Sequence, residues 1–402
     1  MTSALARKFS ARQFAVFLTG FCCFINLYSP QAILPLLSAE FGAGAAEVAT
    51  IVTAGTLAVA LIAPFTGTVA DVLGRKRVIV TAMLVLTIPT VMAALAPSLH
   101  SLVFWRFVQG LVLPPVFAVT IAYIGDEWPR HEATTAAGVY TSGASVGGFG
   151  GRFMTGIFSD LFGWRWAFVI LAAITLAGAI VVATLMPRET RFVRSEGLVE
   201  SGRQMLRHFR NPQLIATYAV GFGVLFNFIG TFTFISFRLA AAPYNMSATA
   251  LGMIFVVYLA GSALTPLSGW VVGRFGRRRF MIANISMWMV GIALTLAGPL
   301  WIILLGLMLC AGCGLLCQAI STGYVTITAH VGRSSAVGLY VTSFYLGGSF
   351  GGALGAVAWT FGGWPACVAL VFAMLAIMAS IVFFAWARHT SSAPINTPIE
   401  PP

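Results

Sequence analysis

Long apolar runs recur along the chain with short polar breaks between them. They fall at 12–36, 48–70, 78–96, 101–124, 135–158 and 164–186. After a polar stretch they resume at 213–238, 249–272, 280–298, 300–324, 335–358 and 364–387. A helix needs about 20 apolar residues to cross the hydrocarbon core. The pattern therefore predicts an all-α integral membrane protein with twelve transmembrane helices in two sets of six. Backbone groups in lipid must satisfy one another, which favours closed helices. The runs are continuous rather than alternating, which argues against a β-barrel. The expected organisation is an N-terminal six-helix bundle over 1–186, a cytoplasmic linker over 187–212 and a C-terminal bundle over 213–387. A tail over 388–402, rich in Pro, Ser and Thr, reads as disordered. In the linker Leu198, Met205, Leu206 and Phe209 lie near one helical face, with Arg203, Arg207 and Arg210 opposite or flanking. It is either an amphipathic helix on the inner membrane surface or a plain solvated connector.

The two sets repeat. Between the second and third runs lies a basic turn, Gly67 to Arg77, holding Asp71, Gly74, Arg75 and Arg77. Its echo, Gly269 to Arg279, holds Gly276 and Arg277, with Gly273 in place of Asp71. Gly138-Val139-Tyr140 matches Gly338-Leu339-Tyr340. Gly147, Gly148, Gly151 and Gly163-Trp164 recur at Gly347, Gly348, Gly351 and Gly363-Trp364. A near-constant offset over several helices marks a duplication. Two parallel repeats with a site between them are one transporter architecture.

Composition agrees. The chain is 59% apolar and 8% charged, whereas a soluble domain carries about 25% charged residues. The net charge of +12 comes from 23 Lys and Arg, most of them on one side of the predicted spans. That placement follows the positive-inside rule and puts both chain ends in the cytoplasm. It fits anionic lipid rather than nucleic acid as the partner. The six cysteines lie in apolar runs, which excludes a secreted disulfide framework. Cys310, Cys313 and Cys317 share a helical face. A soft-metal set is conceivable, but small core residues are the better reading, so no metal is expected. The first apolar run is too long for a cleavable signal peptide. No Gly-Lys-Ser/Thr nucleotide loop is present, so no cofactor is expected, and no ligand cluster points to an enzyme.

Candidate functional residues follow from the cost of polar groups in lipid. Arg106, with Gln109, sits inside the fourth span. It faces the protein interior or a watery cavity, or it snorkels to an interface. Arg152, in the fifth span, has Gly352 as its repeat partner. It can bind an anionic solute group or hold a neighbouring helix through backbone carbonyls. Gln31 and Asn227, on the first span of each set, with Tyr258 and Gln318, are candidate cavity groups. Gly143, Gly147, Gly151, Gly347 and Gly351 recur at helix-packing spacing, for tight contact or for sliding. Asp71 needs a partner, either a helix N-terminus or an arginine such as Arg75 or Arg130. All eleven Asp and Glu residues and all five histidines fall at span ends, in loops or in the tail, with Asp71 and Asp160 nearest to a proton relay.

The chain resembles the major facilitator superfamily over nearly its whole length. The Gly67–Arg77 turn is similar to that family's loop between helices 2 and 3. Arg106-Phe107-Val108-Gln109-Gly110 is similar to a helix 4 motif of its proton-coupled members. Within the family the chain resembles the twelve-span drug:H+ antiporter branch, most closely the YnfM-like permeases, on Leu27 to Gln31, Leu34-Pro35 and Gly148 to Arg152. The branch's antiporter motif is Gly-Pro-x-x-Gly-Gly. Here Gly148 and Arg152 replace its proline and last glycine. The resemblance implies a basic turn that locks the outward-facing state and a role for Arg106 in proton transfer or cavity electrostatics. The function expected is secondary transport of a small organic solute or drug across the inner membrane by alternating access, as a monomer, through proton-coupled export. Alternatives are an organic-anion uptake carrier, exchanger or uniporter using the intramembrane arginines, and a non-transporting receptor on a carrier fold.

Overall fold

The computed structural model describes residues 2–190, 205–329 and 333–386, with side chains throughout except at 2–10, 67–69, 71, 72, 130, 333 and 334. The proposed tail, most of the linker, and the side chains of Asp71 and Arg130 thus lie outside the described residues. The helices are α1 (Thr2–Leu27), α2 (Leu34–Phe41), α3 (Ala45–Leu73), α4 (Arg75–Ala94), α5 (Leu99–Glu127), α6 (Arg130–Phe162) and α7 (Trp164–Leu185). The second set is α8 (Pro212–Ala240), α9 (Ala248–Ile254), α10 (Val257–Leu264), α11 (Ser268–Phe275), α12 (Arg277–Leu294), α13 (Leu300–Thr328) and α14 (Arg333–Ala385). No strand occurs among the described residues.

These helices make twelve crossings. Two predicted spans are not single rods. The first breaks after Leu27 into a 3-10 turn, Ser29–Ala32, and α2, because Pro30 cannot donate the next helical hydrogen bond. The eighth is assembled from α9, α10 and α11, with Pro266 in the 3-10 turn that joins the last two. The eleventh and twelfth run together as α14, interrupted at Gly362 and Gly363.

The repeated glycines sit where the backbone requires them. Gly74 joins α3 to α4 at φ 90°, and Gly276 joins α11 to α12 at φ 80°. Gly163 and Gly363 do the same at φ 88° and 59°. A side chain at such angles meets steric strain, so the duplication preserved the residue along with the turn. The last turn of α3 and the first turn of α4 thus meet without a loop, and Arg75 pairs with Asp126 at 2.6 Å. The end of the molecule that carries these turns is called the basic end below.

Each half is stapled by a small-residue contact. Gly143, Gly147 and Gly151 of α6 lie against the backbone of Phe17, Phe21 and Ile25 in α1. Gly347 and Gly351 of α14 lie against Phe222 and Phe226 in α8, and Ser343 donates to the Tyr218 carbonyl at 2.8 Å. These glycines pack helices within a half, where their spacing permits close backbone approach. The outer face of the bundle is apolar, with Ile88, Phe104, Trp301, Phe361 and Phe384 all more than half exposed, as lipid contact demands.

Replacing Gly347 by Leu should destabilise the protein by about 1–3 kcal/mol through overpacking. Gly338→Ala, where a methyl group meets open space, should be neutral or stabilising. Thermal unfolding in detergent checks both.

Candidate functional site

The site begins with the break in α1. Pro30 has no N–H, so the Asn26 carbonyl loses its helical donor. Gln31 N–H turns to the Tyr28 carbonyl at 3.1 Å, which orphans the Leu27 carbonyl as well. Arg106 of α5 supplies the missing donors, giving Nη1 to Asn26 O at 2.9 Å and Nη2 to Leu27 O at 2.5 Å. Its Nη1 also meets Gln109 Oε1. Gln109 Nε2 donates to Thr90 at 2.6 Å and to Asn26 Oδ1 at 3.2 Å, and Asn26 Nδ2 donates to Thr175 at 2.8 Å. One polar network thereby ties α1, α4, α5 and α7. Arg106 is 1% exposed, so it does not snorkel to an interface.

The break aims Gln31 and Tyr28 at Arg152 of α6, about two-thirds of the way along that helix from the basic end. Arg152 Nε donates to Gln31 Oε1 at 2.7 Å, and Nη1 donates to Gly148 O at 2.6 Å. Its guanidinium lies 4.7 Å from the Tyr28 ring, 4.4 Å from Phe255 and 5.0 Å from Tyr258. Phe255 and Tyr258 belong to the other half. Gln31 Nε2 reaches across too, to Thr233 of α8 at 3.3 Å. Arg152 is 3% exposed. Among the described residues no carboxylate lies within ion-pair distance of it.

Around this cluster the halves interlock. Thr56 and Ser349 share a hydrogen bond at 3.0 Å, as do Ser145 and Ser262 at 3.0 Å, and Thr249 N–H donates to Asp160 at 2.8 Å. Phe117 stacks on Tyr345 at 5.9 Å. The hydrogen bonds lie between mid-depth and the end opposite the basic turns, and the Phe117–Tyr345 contact lies slightly to the basic side of mid-depth. Towards the basic end, α11 has no buried residue.

The other sequence candidates disperse. Tyr258 joins the Arg152 cluster. Asn227 is fully buried inside the second half, with Nδ2 on Met378 Sδ at 3.3 Å. Gln318 on α13 is half-buried and reaches no side chain among the described residues. Neither contacts Arg152. In the basic turns Arg77 is exposed, Arg277 lies 4.5 Å from the Tyr324 ring, and the space around Gly269 is open. Arg75 pairs with Asp126, which the sequence did not single out. The Lys76 N–H donates to Glu189 at 3.3 Å. Cys310, Cys313 and Cys317 are buried, with Asn284 donating to the Cys313 carbonyl at 2.7 Å and to Cys317 Sγ at 3.1 Å. Among the described residues no His, Cys, Asp or Glu group is arranged for a metal.

Gly156 and Gly252 stand outside the packing repeat and escaped the sequence analysis, where Gly352 figures only as the repeat partner of Arg152. Gly156 lies against the Ala248 carbonyl, and Gly352 lies against the Thr53 hydroxyl. A Cβ on Gly252 would come within 2.7 Å of the Arg152 carbonyl and 2.9 Å of Phe153 Cα. These are the close approaches between the halves.

Gly252→Val should therefore push this end apart. An overpacking cost of about 1–3 kcal/mol shifts the closed population roughly tenfold. The check is cross-linking of the T56C/S349C pair by a short bifunctional maleimide, with the yield expected to fall accordingly.

Comparison with known proteins places this geometry. A family model described as Major Facilitator Superfamily matches residues 16–240 and 220–401. The inner membrane transport protein YnfM of Escherichia coli strain K12 is 32% identical over 367 residues, covering 90% of this chain and 87% of YnfM. The multi-drug resistance efflux pump PmrA of Streptococcus pneumoniae is 26% identical, covering 87% of this chain and 88% of PmrA. The crystal structure of a mutant form of the nucleoside transporter NupG superposes with a TM-score of 0.76 at 16% identity, covering 93% of this chain and 100% of that one. A duplicated twelve-crossing bundle, a seam between its halves and a family match over nearly the whole length together make this chain a member of the Major Facilitator Superfamily, a transporter of the bacterial inner membrane.

Proposed function

We propose that the chain carries a small organic solute across the inner membrane by alternating access, its two halves rocking about the Arg152 seam. The observation that carries this reading is the one-sided seam. Cross-half hydrogen bonds gather between mid-depth and one end, and α11 is left unburied towards the other. The positive-inside rule would put the basic end, and both chain ends, in the cytoplasm. The described arrangement is then the inward-facing one. The bonds that close the seam are ones a carrier can break. Neutral hydrogen bonds contribute about 0.5–1.5 kcal/mol each, and a buried cation–π contact about 2 kcal/mol.

The finer reading is proton-coupled export, supported by the resemblance to the antiporter branch and by the similarity to an efflux pump. A second reading is an organic-anion carrier, exchanger or uniporter. It is favoured by one observation, the buried Arg152 with no carboxylate beside it among the described residues.

Energised inside-out vesicles with a pH-gradient dye separate the two. Proton-coupled export requires that a solute collapse the gradient only when intact carrier is present. The same gradient staying intact while labelled anions cross selects the second reading. Ligand binding with no flux of any solute would overturn transport altogether.

A further inference from the structure

We infer that the Arg152 cluster is a built site for one carboxylate, and that the solute is a small organic monocarboxylic acid with an apolar or aromatic body. This deepens the transport reading and rests on it.

A guanidinium has five N–H donors. Arg152 places Nε on Gln31 and one Nη1 donor on the Gly148 carbonyl. Nη2 reaches no acceptor among the described residues. The three rings at 4.4–5.0 Å attract the charge through their π faces and consume none of its donors. A cation buried to this degree is costly unless it is paired, and the protein supplies only neutral acceptors and rings. The missing partner is a planar anion, for which a guanidinium fork is shaped.

The surroundings narrow the class further. Phe255, Tyr258 and Phe228 form a continuous aromatic wall, with Tyr258 centred 5.4 Å from Phe228 and 5.9 Å from Phe255, and Tyr28 meets the guanidinium as well. Such a wall buries an apolar body and leaves orientation to a few polar groups, here Arg152, Gln31 and Thr233. A dianion would need a second cation. Arg106, the other buried arginine among the described residues of the first half, already serves the Asn26 and Leu27 carbonyls. One charge on the solute therefore matches one charge in the site.

The inference also accounts for the placement of the acids. A carrier that moves its solute as the carboxylate anion, held by Arg152, moves no proton with it. Such a carrier needs no mid-span Asp or Glu, and none of the eleven occupies such a position. Arg152 spans the seam as well. An acid bound there touches both halves and can bias their opening through its own charge.

The test uses the full chain in lipid nanodiscs. Equilibrium competition compares benzoate, phenylacetate and octanoate with their neutral amides, in the unaltered protein and in Arg152→Gln, Arg152→Lys and Arg165→Gln. Arg165 is the control, since it is exposed and pairs with Glu40 at 2.9 Å away from the site. At least one acid should bind tenfold or more tightly than its amide. Arg152→Gln should erase that preference, Arg152→Lys should keep part of it, and Arg165→Gln should leave it unchanged. Melting temperatures report whether each variant is folded. Acids and amides binding alike in the unaltered protein would overturn the inference, whatever the variants do. So would a folded Arg152→Gln that keeps the preference. Flux in proteoliposomes separates the two levels. Selective acid binding without flux sinks the transport reading and leaves the site standing. Flux of neutral or cationic solutes with no acid preference sinks the site alone.

Discussion

A backbone carbonyl in lipid must find a donor inside the protein, and this constraint organises the first half of the molecule. Pro30 opens α1 at mid-membrane and strands the carbonyls of Asn26 and Leu27. Such a break is tolerable only where buried protein groups repair it. Arg106 repairs it from α5, and Gln109, Asn26, Thr90 and Thr175 lock the repair to two further helices. The result is a bent segment held rigidly enough to aim Gln31 and Tyr28 at Arg152. Arg106 therefore acts through position, setting the geometry in which the second arginine works.

The second arginine lies on the seam between the halves. Its contacts to Phe255 and Tyr258 cross the seam, as does the bond from Gln31 to Thr233. Stapled glycine contacts hold α1 to α6 and α8 to α14, tying each half together. The seam is closed by α3 packed along α14 and α6 packed on α9, with a few hydrogen bonds, ring contacts and three glycine approaches. Moving a two-state equilibrium from 1:99 to 99:1 takes about 5.5 kcal/mol of differential binding.

Much of the architecture was legible in sequence, for local reasons. Run length marked the crossings, and the offset between Gly74 and Gly276 and between Gly163 and Gly363 revealed the duplication, because positive φ tolerates little else. Arg106 and Arg152 stood out because a charge inside an apolar run is expensive. The partners of those charges were less visible. Phe255 lies about a hundred residues from Arg152 and looks like any apolar residue of its span. Asn227 had the same polar character as Gln31 and lies on the first span of the second half, yet it packs on Met378. Its span lacks the Pro30 break that turns Gln31 to the seam.

Hydrophobic period, glycine placement and the asymmetry of charge are properties of neighbouring residues, and they determined the membrane setting, the twelve crossings and the twofold repeat. Which buried polar group meets which is a matter of helix rotation and of the seam between two bundles. Only the tertiary structure decided that Arg106 would mend a helix, that Arg152 would stand between the halves without a counter-charge among the described residues, and that Gly156, Gly252 and Gly352 would be the points of closest approach. Those outcomes depend on contacts between segments far apart in the chain, for which no local pattern carries a signal.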